Sequence, residues 1–389
     1  LLTLIKNGEV YAPEYIGKKD ILITDEKIGF IEDAIEWPSA IPVKIIDADG
    51  QYIFPGFIDS HVHIIGGGGE GSYRTRTPEI QLTQATMNGI TTLVGVIGTD
   101  GTTRTMQSLI AKARGLEEEG ITCFVHTGSY QVPVKTLTGK IEDDIILIDR
   151  IIGAGEIAIS DHRSSQPTLE EMAKIASAAR IGGMLSGKAG IVNVHLGDSP
   201  SKLSLLQDVV EKTDIPVKTF HPTHINRNRN LFEAGIEYAK NGGYVDFTTS
   251  TVRRFLEKGE VKCSSGLKEM LDAGVPIENI TFTSDGQASL PEFDEHGVLI
   301  GLQIGQVSSL YKEVKDAILL ENVPIEKALR VITLNPAAVL KLKDKGEVKQ
   351  GKAADLVLVD KKSLEISSVF AKGTLMVHEK EALVKGTFE

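Results

Sequence analysis

Tyr52-Ile-Phe-Pro-Gly-Phe-Ile-Asp-Ser-His61-Val-His63 is an apolar run that ends in two histidines one residue apart. On an extended strand residues i and i+2 face the same side, so both imidazoles can converge on one ion at the strand's C-terminal end. That geometry suits zinc or a similar borderline metal. Taken alone, the pair also fits two ordinary histidines in a surface turn, and the rest of the chain has to decide.

Outward from this run, from about Phe54 to Leu340, apolar strands alternate with amphipathic helices. The candidate strands are eight: Ile53–Ile58, Thr91–Ile97, Thr122–Thr127, Glu156–Ser160, Ile191–His195, Val217–His221, Tyr244–Thr248 and Thr281–Ser284. Helices fit between them at Pro78–Met87 (cap Thr77, Pro at the first helical position), Thr102–Glu119, Leu169–Arg180, Leu203–Lys212, Leu231–Asn241 and Gly266–Ala273. Parallel strands each followed by a helix, repeated eight times, predict an α/β fold, a closed (β/α)8 barrel. A doubly wound open sheet is the alternative, but no Gly-x-Gly-x-x-Gly opens a strand-to-helix turn early in the region. Residues 1–51 read instead as short strands, Leu2–Ile5, Asp20–Thr24, Ile28–Glu32 and Val43–Asp47, between turn residues. Gly351–Asp360 and Thr374–His378 resume that style, so the two chain ends are expected to pair into one small sheet domain with the barrel inserted between them.

Composition sets the bounds. With 389 residues, 41% hydrophobic and 24% charged, the chain can bury a large core plus a smaller module. No stretch approaches the ~18 apolar residues of a membrane helix, and the start lacks a signal-peptide layout, so a soluble cytoplasmic protein without a membrane partner is expected. Cys123 and Cys263 lie far apart without Cys-x-x-Cys spacing, which argues against disulfides and thiolate metal sites. A net charge of −11 with no basic run speaks against nucleic acid and for a small ligand.

A barrel of this kind builds its active site from the C-terminal ends of its strands. The polar residues there are His61 and His63 on strand one, Glu156 on strand four, His195 on strand five, His221 or His224 on strand six, and Asp285 on strand eight. Together they supply nitrogen and carboxylate ligands for one or two metals. Glu156 lies in Ile151-Ile-Gly-Ala-Gly-Glu156-Ile-Ala-Ile-Ser160, where a buried carboxylate must be ion-paired, for example with Arg163, or bound to metal. Around the presumed mouth, Gly66-Gly-Gly-Gly-Glu70 offers backbone N–H groups and a fixed negative charge suited to a substrate ammonium. Arg163 and Arg227 can clamp carboxylates, and Tyr130 can donate its hydroxyl to a developing oxyanion.

These residues resemble the amidohydrolase superfamily in Pro55-Gly-Phe-Ile-Asp59-Ser-His61-Val-His63, Asn335-Pro-Ala and Gly346-Glu-Val-Lys-Gln-Gly-Lys-Ala-Ala-Asp355-Leu. Within it the chain is similar to the isoaspartyl dipeptidase family. That likeness lies in His61–Glu70, Arg76-Thr-Pro-Glu79, Gly98-Thr99-Asp, Ala158–Ser164, His195-Leu-Gly-Asp198, Pro222–Asn228, Ser284-Asp285-Gly with Ser289, and Val384–Glu389. The resemblance implies a barrel at 54–344 flanked by a small β-sandwich from 1–53 and 345–389. It implies two zinc ions per subunit, the first held by His61, His63 and Asp285, the second by His195 and His224, with a bridge on strand four. It also implies cleavage of β-aspartyl dipeptides by a hydroxide between the metals. In that scheme Asp285 is general base and acid, and Tyr130 polarises the scissile carbonyl. Glu70 takes the free ammonium, while Gly68, Thr99, Arg163, Arg227 and Ser289 hold the carboxylates and the peptide. The assembly implied is a homo-oligomer, an octamer.

One departure stands out. The family's bridge is a lysine converted by carbon dioxide to a carbamate, and here strand four carries Glu156 and no lysine. The glutamate carboxyl carbon lies about three bonds nearer the backbone, so roughly 3–4 Å of reach has to come from the strand or the metals. Other expectations are a related amidohydrolase activity, such as a D-aminoacylase or cyclic-imide hydrolase, or a non-catalytic scaffold. Glu70 argues against the first, since an N-acylated or cyclic substrate offers no ammonium, and the retained histidines argue against the second.

Overall fold

The computed structural model describes residues 2–293 and 299–389. The opening stretch proves to be two strands rather than one. Gln51–Pro55 runs parallel to Leu2–Tyr11, with Tyr52 opposite Glu9, and antiparallel to Leu356–Asp360, with Pro55 opposite Leu356. The chain then turns at Gly56 and enters the barrel as Phe57–Val62. Proline ends the first ladder because it has no N–H to donate. Gly56 is required by close approach: a Cβ there would lie 2.3 Å from Thr91 Oγ1.

The strands from both chain ends form one nine-stranded sheet, in the order Glu381–Ala382, Thr374–His378, Ile366–Ala371, Leu356–Asp360, Gln51–Pro55, Leu2–Tyr11, Tyr15–Thr24 and Lys27–Glu32, with Lys44–Asp47 paired beside Leu2–Tyr11. Its core is its own, built on Ile5, Val10, Ile23, Ile53, Leu356 and Phe370.

Six barrel strands pair in parallel in chain order: Phe57–Val62, Ile90–Gly95, Thr122–Thr127, Ile151–Ile159, Ile191–Leu196 and Phe220–Thr223. Val245–Thr248 pairs in parallel with Ile280–Thr283. Backbone bonds close the ring on both sides of that pair: Ile225 N–H to Asp246 O at 3.1 Å, Asp285 N–H to His61 O at 3.2 Å and His63 N–H to Gly286 O at 2.9 Å. Nearly every residue of these strands is buried, which is why they read as continuous apolar runs rather than as alternation.

Helix starts follow their caps. Thr168 and Glu171 form a capping box that opens Leu169–Ser186, Thr105 caps Met106–Glu118, and Asn228 caps Arg229–Lys240. The helix expected at Pro78–Met87 is only Leu82–Thr86. Thr77 is not its cap, because its hydroxyl is spent inside the glycine loop, accepting from Gly67 N–H at 2.7 Å and donating to Gln287 O. The sixth strand also begins later than expected. Val217–Thr219 is a 3-10 turn and the strand is Phe220–Thr223, so His224 rather than His221 stands at its C-terminal end. Among the described residues no helix is long and apolar enough to cross a membrane.

Candidate metal centre and the cavity above it

His61 closes the first strand fully buried, and its Nδ1–H donates to Asn193 Oδ1 at 3.0 Å. That bond leaves Nε2 as the lone-pair nitrogen, 3.4 Å from Glu156 Oε2 and 3.5 Å from Asp285 Oδ1. His63 Nε2 lies 3.1 Å from Asp285 Oδ1 and 3.4 Å from Glu156 Oε1. His195 is fixed from behind by Asp161, whose Oδ2 accepts from Nε2–H at 3.0 Å, so Nδ1 faces inward, 3.3 Å from Glu156 Oε2. His224 has a left-handed backbone, φ 66°, that turns its ring back over the barrel. Its Nδ1 pairs with Thr248 Oγ1, and its Nε2 reaches His195 Nδ1 at 2.9 Å and Glu156 Oε2 at 3.9 Å.

Glu156 thus sits among all four histidines, and the alternative pairing with Arg163 is not formed. Its reach is explained locally. The fourth strand carries one residue more than the fifth across this point, Ala154 facing Val192 and Ile157 facing Val194, and such a bulge re-aims the side chains it displaces. Gly98 leaves the space: a Cβ there would lie 2.8 Å from His63 Cε1 and 3.3 Å from Glu156 Oε1.

The donor set fits metal ions. His61, His63 and Asp285 can each offer an atom within 4.8 Å of one another, and so can His61, Glu156 and His224. Glu156 Oε1 and Oε2, His61 Nε2 and Asp285 Oδ1 are buried without a hydrogen-bond partner, which in a folded protein calls for a cation. The electrostatics agree. Burial opposes charge on His61, yet Glu156 and Asp285 outweigh it and raise the imidazole pKa, so the surroundings of Nε2 favour a positive charge, which a proton or a metal ion can supply. Burial likewise raises the Glu156 carboxyl, but His61 and the other histidines pull it well below the usual carboxylate range.

His221 has no place in this group. It lies within the strand, its Nε2 2.8 Å from Thr281 Oγ1, in a polar layer beneath the site where Asp246 accepts from Thr223, Thr281 and Thr283, each at 2.6 Å.

Above the donors opens a cavity of about 850 Å³. Tyr130 OH donates to His195 Nδ1 at 2.8 Å, and burial raises its pKa well above the usual value, so the phenol keeps its proton. Glu70 accepts from Thr99 Oγ1 at 3.1 Å, Ser289 Oγ at 3.3 Å and Arg163 Nη1 at 3.3 Å. Arg163 is also held by Asp161, Nη2 to Oδ2 at 2.7 Å. Gly68 packs on Ser289, where a Cβ would come within 3.1 Å of the serine Cβ. Arg227 lines the same cavity, its buried Nε without a partner. The glycine loop is held by the buried Arg104, which donates to the carbonyls of Ile65, Gly67 (2.8 Å) and Thr77 (3.1 Å).

Asn193, Asp161, Thr248 and Arg104 are the residues the sequence reading missed. Asn193 shares a strand face with His195 two positions on, Asp161 follows the end of strand four, and Thr248 ends strand seven, so strand-end logic applied to every polar residue would have found these three. Arg104 gives no such signal.

An eight-stranded parallel barrel with histidine, glutamate and aspartate donors clustered at its strand ends defines a metal-dependent hydrolase. Residues 52–376 match the Amidohydrolase family, and the chain belongs to that family. The structure of a β-aspartyl dipeptidase from Fervidobacterium islandicum AW-1 in complex with the β-Asp-Leu dipeptide is similar with a TM-score of 0.91 and 45% identity, covering 98% of both chains. In sequence, the dihydroorotase of Aquifex aeolicus is 26% identical over 92% of this chain and 90% of its own length. The dihydroorotase of Elusimicrobium minutum is 25% identical over 92% and 88%.

Proposed function

We propose that this protein hydrolyses β-aspartyl dipeptides with two divalent ions, zinc being the metal that a mixed imidazole and carboxylate set suits. One observation carries the choice of substrate. Glu70 and Arg163, receptors for an ammonium and a carboxylate, stand side by side at 3.3 Å beside the donor cluster. A β-linked aspartyl residue presents both charges on one carbon, with its scissile carbonyl two bonds further on. An α-linked dipeptide has no such head group, because its α-carboxyl is the bond to be cut.

His61, His63 and Asp285 would hold one ion, His195 and His224 the other, and Glu156 would touch both. Divalent ions held there supply Lewis acidity toward the scissile carbonyl and lower the pKa of water toward neutrality. The chain's own groups do the rest. Glu70 grips the α-ammonium against Thr99 and Ser289, Arg163 takes the α-carboxylate beside it, and Gly68 lets the backbone lie close to the peptide. Arg227 takes the carboxylate of the leaving residue. Tyr130, kept protonated by burial, donates its hydroxyl to the carbonyl oxygen as negative charge develops on it. Asp285 carries the proton from the attacking water to the departing amine. Burial raises its carboxyl, but the His63 contact outweighs that and holds it below the usual range, so it starts as a carboxylate able to accept.

The likeness in sequence to dihydroorotases favours a second reading, a cyclic amide substrate, against which the Glu70–Arg163 pair argues. Turnover of β-aspartyl-leucine, α-aspartyl-leucine, γ-glutamyl-leucine and dihydroorotate separates them. We expect cleavage of the first alone at a useful rate, and a drop of about a thousandfold in kcat for Asp285→Asn with an unchanged circular dichroism spectrum. Equal cleavage of the α- and β-linked compounds, or full turnover by Asp285→Asn, would overturn the reading.

A further inference from the structure

The cavity continues past Arg227 to a wall made by the loop after the seventh strand. Val261 N–H donates to Asn226 O at 2.9 Å and Asn226 Nδ2 donates back to Val261 O at 3.2 Å, which fixes this loop against the residue next to Arg227. Arg254 and Phe255, on the short helix Arg253–Glu257, line the cavity with Lys258 and Glu260, and the buried Leu290, in the strand Ser289–Phe293, lines it as well.

The charges at this end do not balance locally. Arg163 is paired with Asp161 and Glu70, and Arg253 with Glu257 outside the cavity at 2.7 Å. Of the nearby carboxylates, Asp198 accepts from Asn228, and burial pushes the Glu260 carboxyl up to about 7 against the pull of the Thr251 hydroxyl and the Arg227 charge. Arg227, Arg254 and Lys258 are left with no carboxylate at ion-pair distance among the described residues. One of the three cations is assigned above to the α-carboxylate of the leaving residue, which leaves two.

We infer that residues 254–260 form the subsite for the side chain of the leaving residue, and that Arg254 and Lys258 select an aliphatic stem ending in a negative charge, glutamate ahead of leucine and leucine ahead of lysine. Phe255 and Leu290 supply apolar surface for the stem, and the two cations meet the tip. The inference rests on the β-aspartyl reading and adds to it the class of residue released.

The test compares kcat/KM for β-aspartyl-glutamate, β-aspartyl-leucine and β-aspartyl-lysine on the metal-loaded enzyme, on Lys258→Glu and on the double variant Arg254→Glu, Lys258→Glu. We expect the glutamate-to-lysine ratio to be about tenfold or more, to shrink with added salt, and to fall below one in the double variant. Lys258 is exposed, so the single variant reports a smaller shift of the same sign even if the double one folds poorly. A flat ratio with β-aspartyl-leucine cleaved normally overturns the subsite alone. Failure to cleave any of the three overturns the β-aspartyl reading and the subsite with it.

Discussion

Asn193 decides which nitrogen of His61 is available. By accepting from Nδ1–H it points the Nε2 lone pair at Glu156 and Asp285, and its own Nδ2 is anchored on His221 O at 3.2 Å. Second partners of this kind typically contribute tenfold to a hundredfold in metal affinity. Asn193→Ala is expected to weaken metal retention by about that factor in a chelator competition, with the fold kept, and unchanged affinity would remove Asn193 from the role. The histidines and acids of the donor cluster were legible in the sequence, because such residues at strand ends are rare and topologically placed. The residues that orient them were not, because asparagine and threonine are common on strands, and only the packed barrel shows which of them face a histidine. His224 is instructive here: spacing left it level with His221, and the late start of the sixth strand separated them.

Among the elements, all eight strands and most helices could be read from apolar runs and caps, and the misreadings have local causes. Apolar character continues unbroken through Tyr52–Ile58, so the change of sheet at Gly56 is invisible to hydrophobicity and visible only to the proline's missing donor. Thr77-Pro78 has the composition of a helix start, yet the hydroxyl serves Gly67 and Gln287 in a loop formed by residues more than two hundred positions apart. No local pattern encodes a partner at that distance. The bulge in Ile151–Ile159 is of the same kind. It exists only in the register against Ile191–Leu196, which is why the reach of Glu156 looked too short from bond lengths alone.

At the scale of the whole molecule, the barrel interior stores buried titratable groups whose pH effects oppose one another. Burial lowers the pKa of His126 and of His221 to about 3, and raises that of Asp246 to about 6. Each histidine therefore contributes stability that is present above its unfolded pKa of ~6.5 and is lost as pH falls toward 3, because the unfolded chain takes up the proton first. Asp246 acts with the opposite sign, its contribution falling as pH rises from about 4 to about 6. Removing one member should expose the balance. In denaturant unfolding, His126→Leu is expected to gain on the wild type by about 2 kcal/mol between pH 7 and pH 5, at about 1.4 kcal/mol per unit below 6.5. A difference independent of pH would show that His126 is not the group responsible. Glu156 has a consequence of another sort for the intact protein. In the bridging place proposed for it, a glutamate encoded by the gene is complete when the chain leaves the ribosome, whereas a carbamate has to be made from dissolved gas and comes apart in acid. Reconstitution from stripped protein should accordingly proceed as fully in buffer purged of bicarbonate as in its presence, and a requirement for bicarbonate would mean that some other group completes the centre.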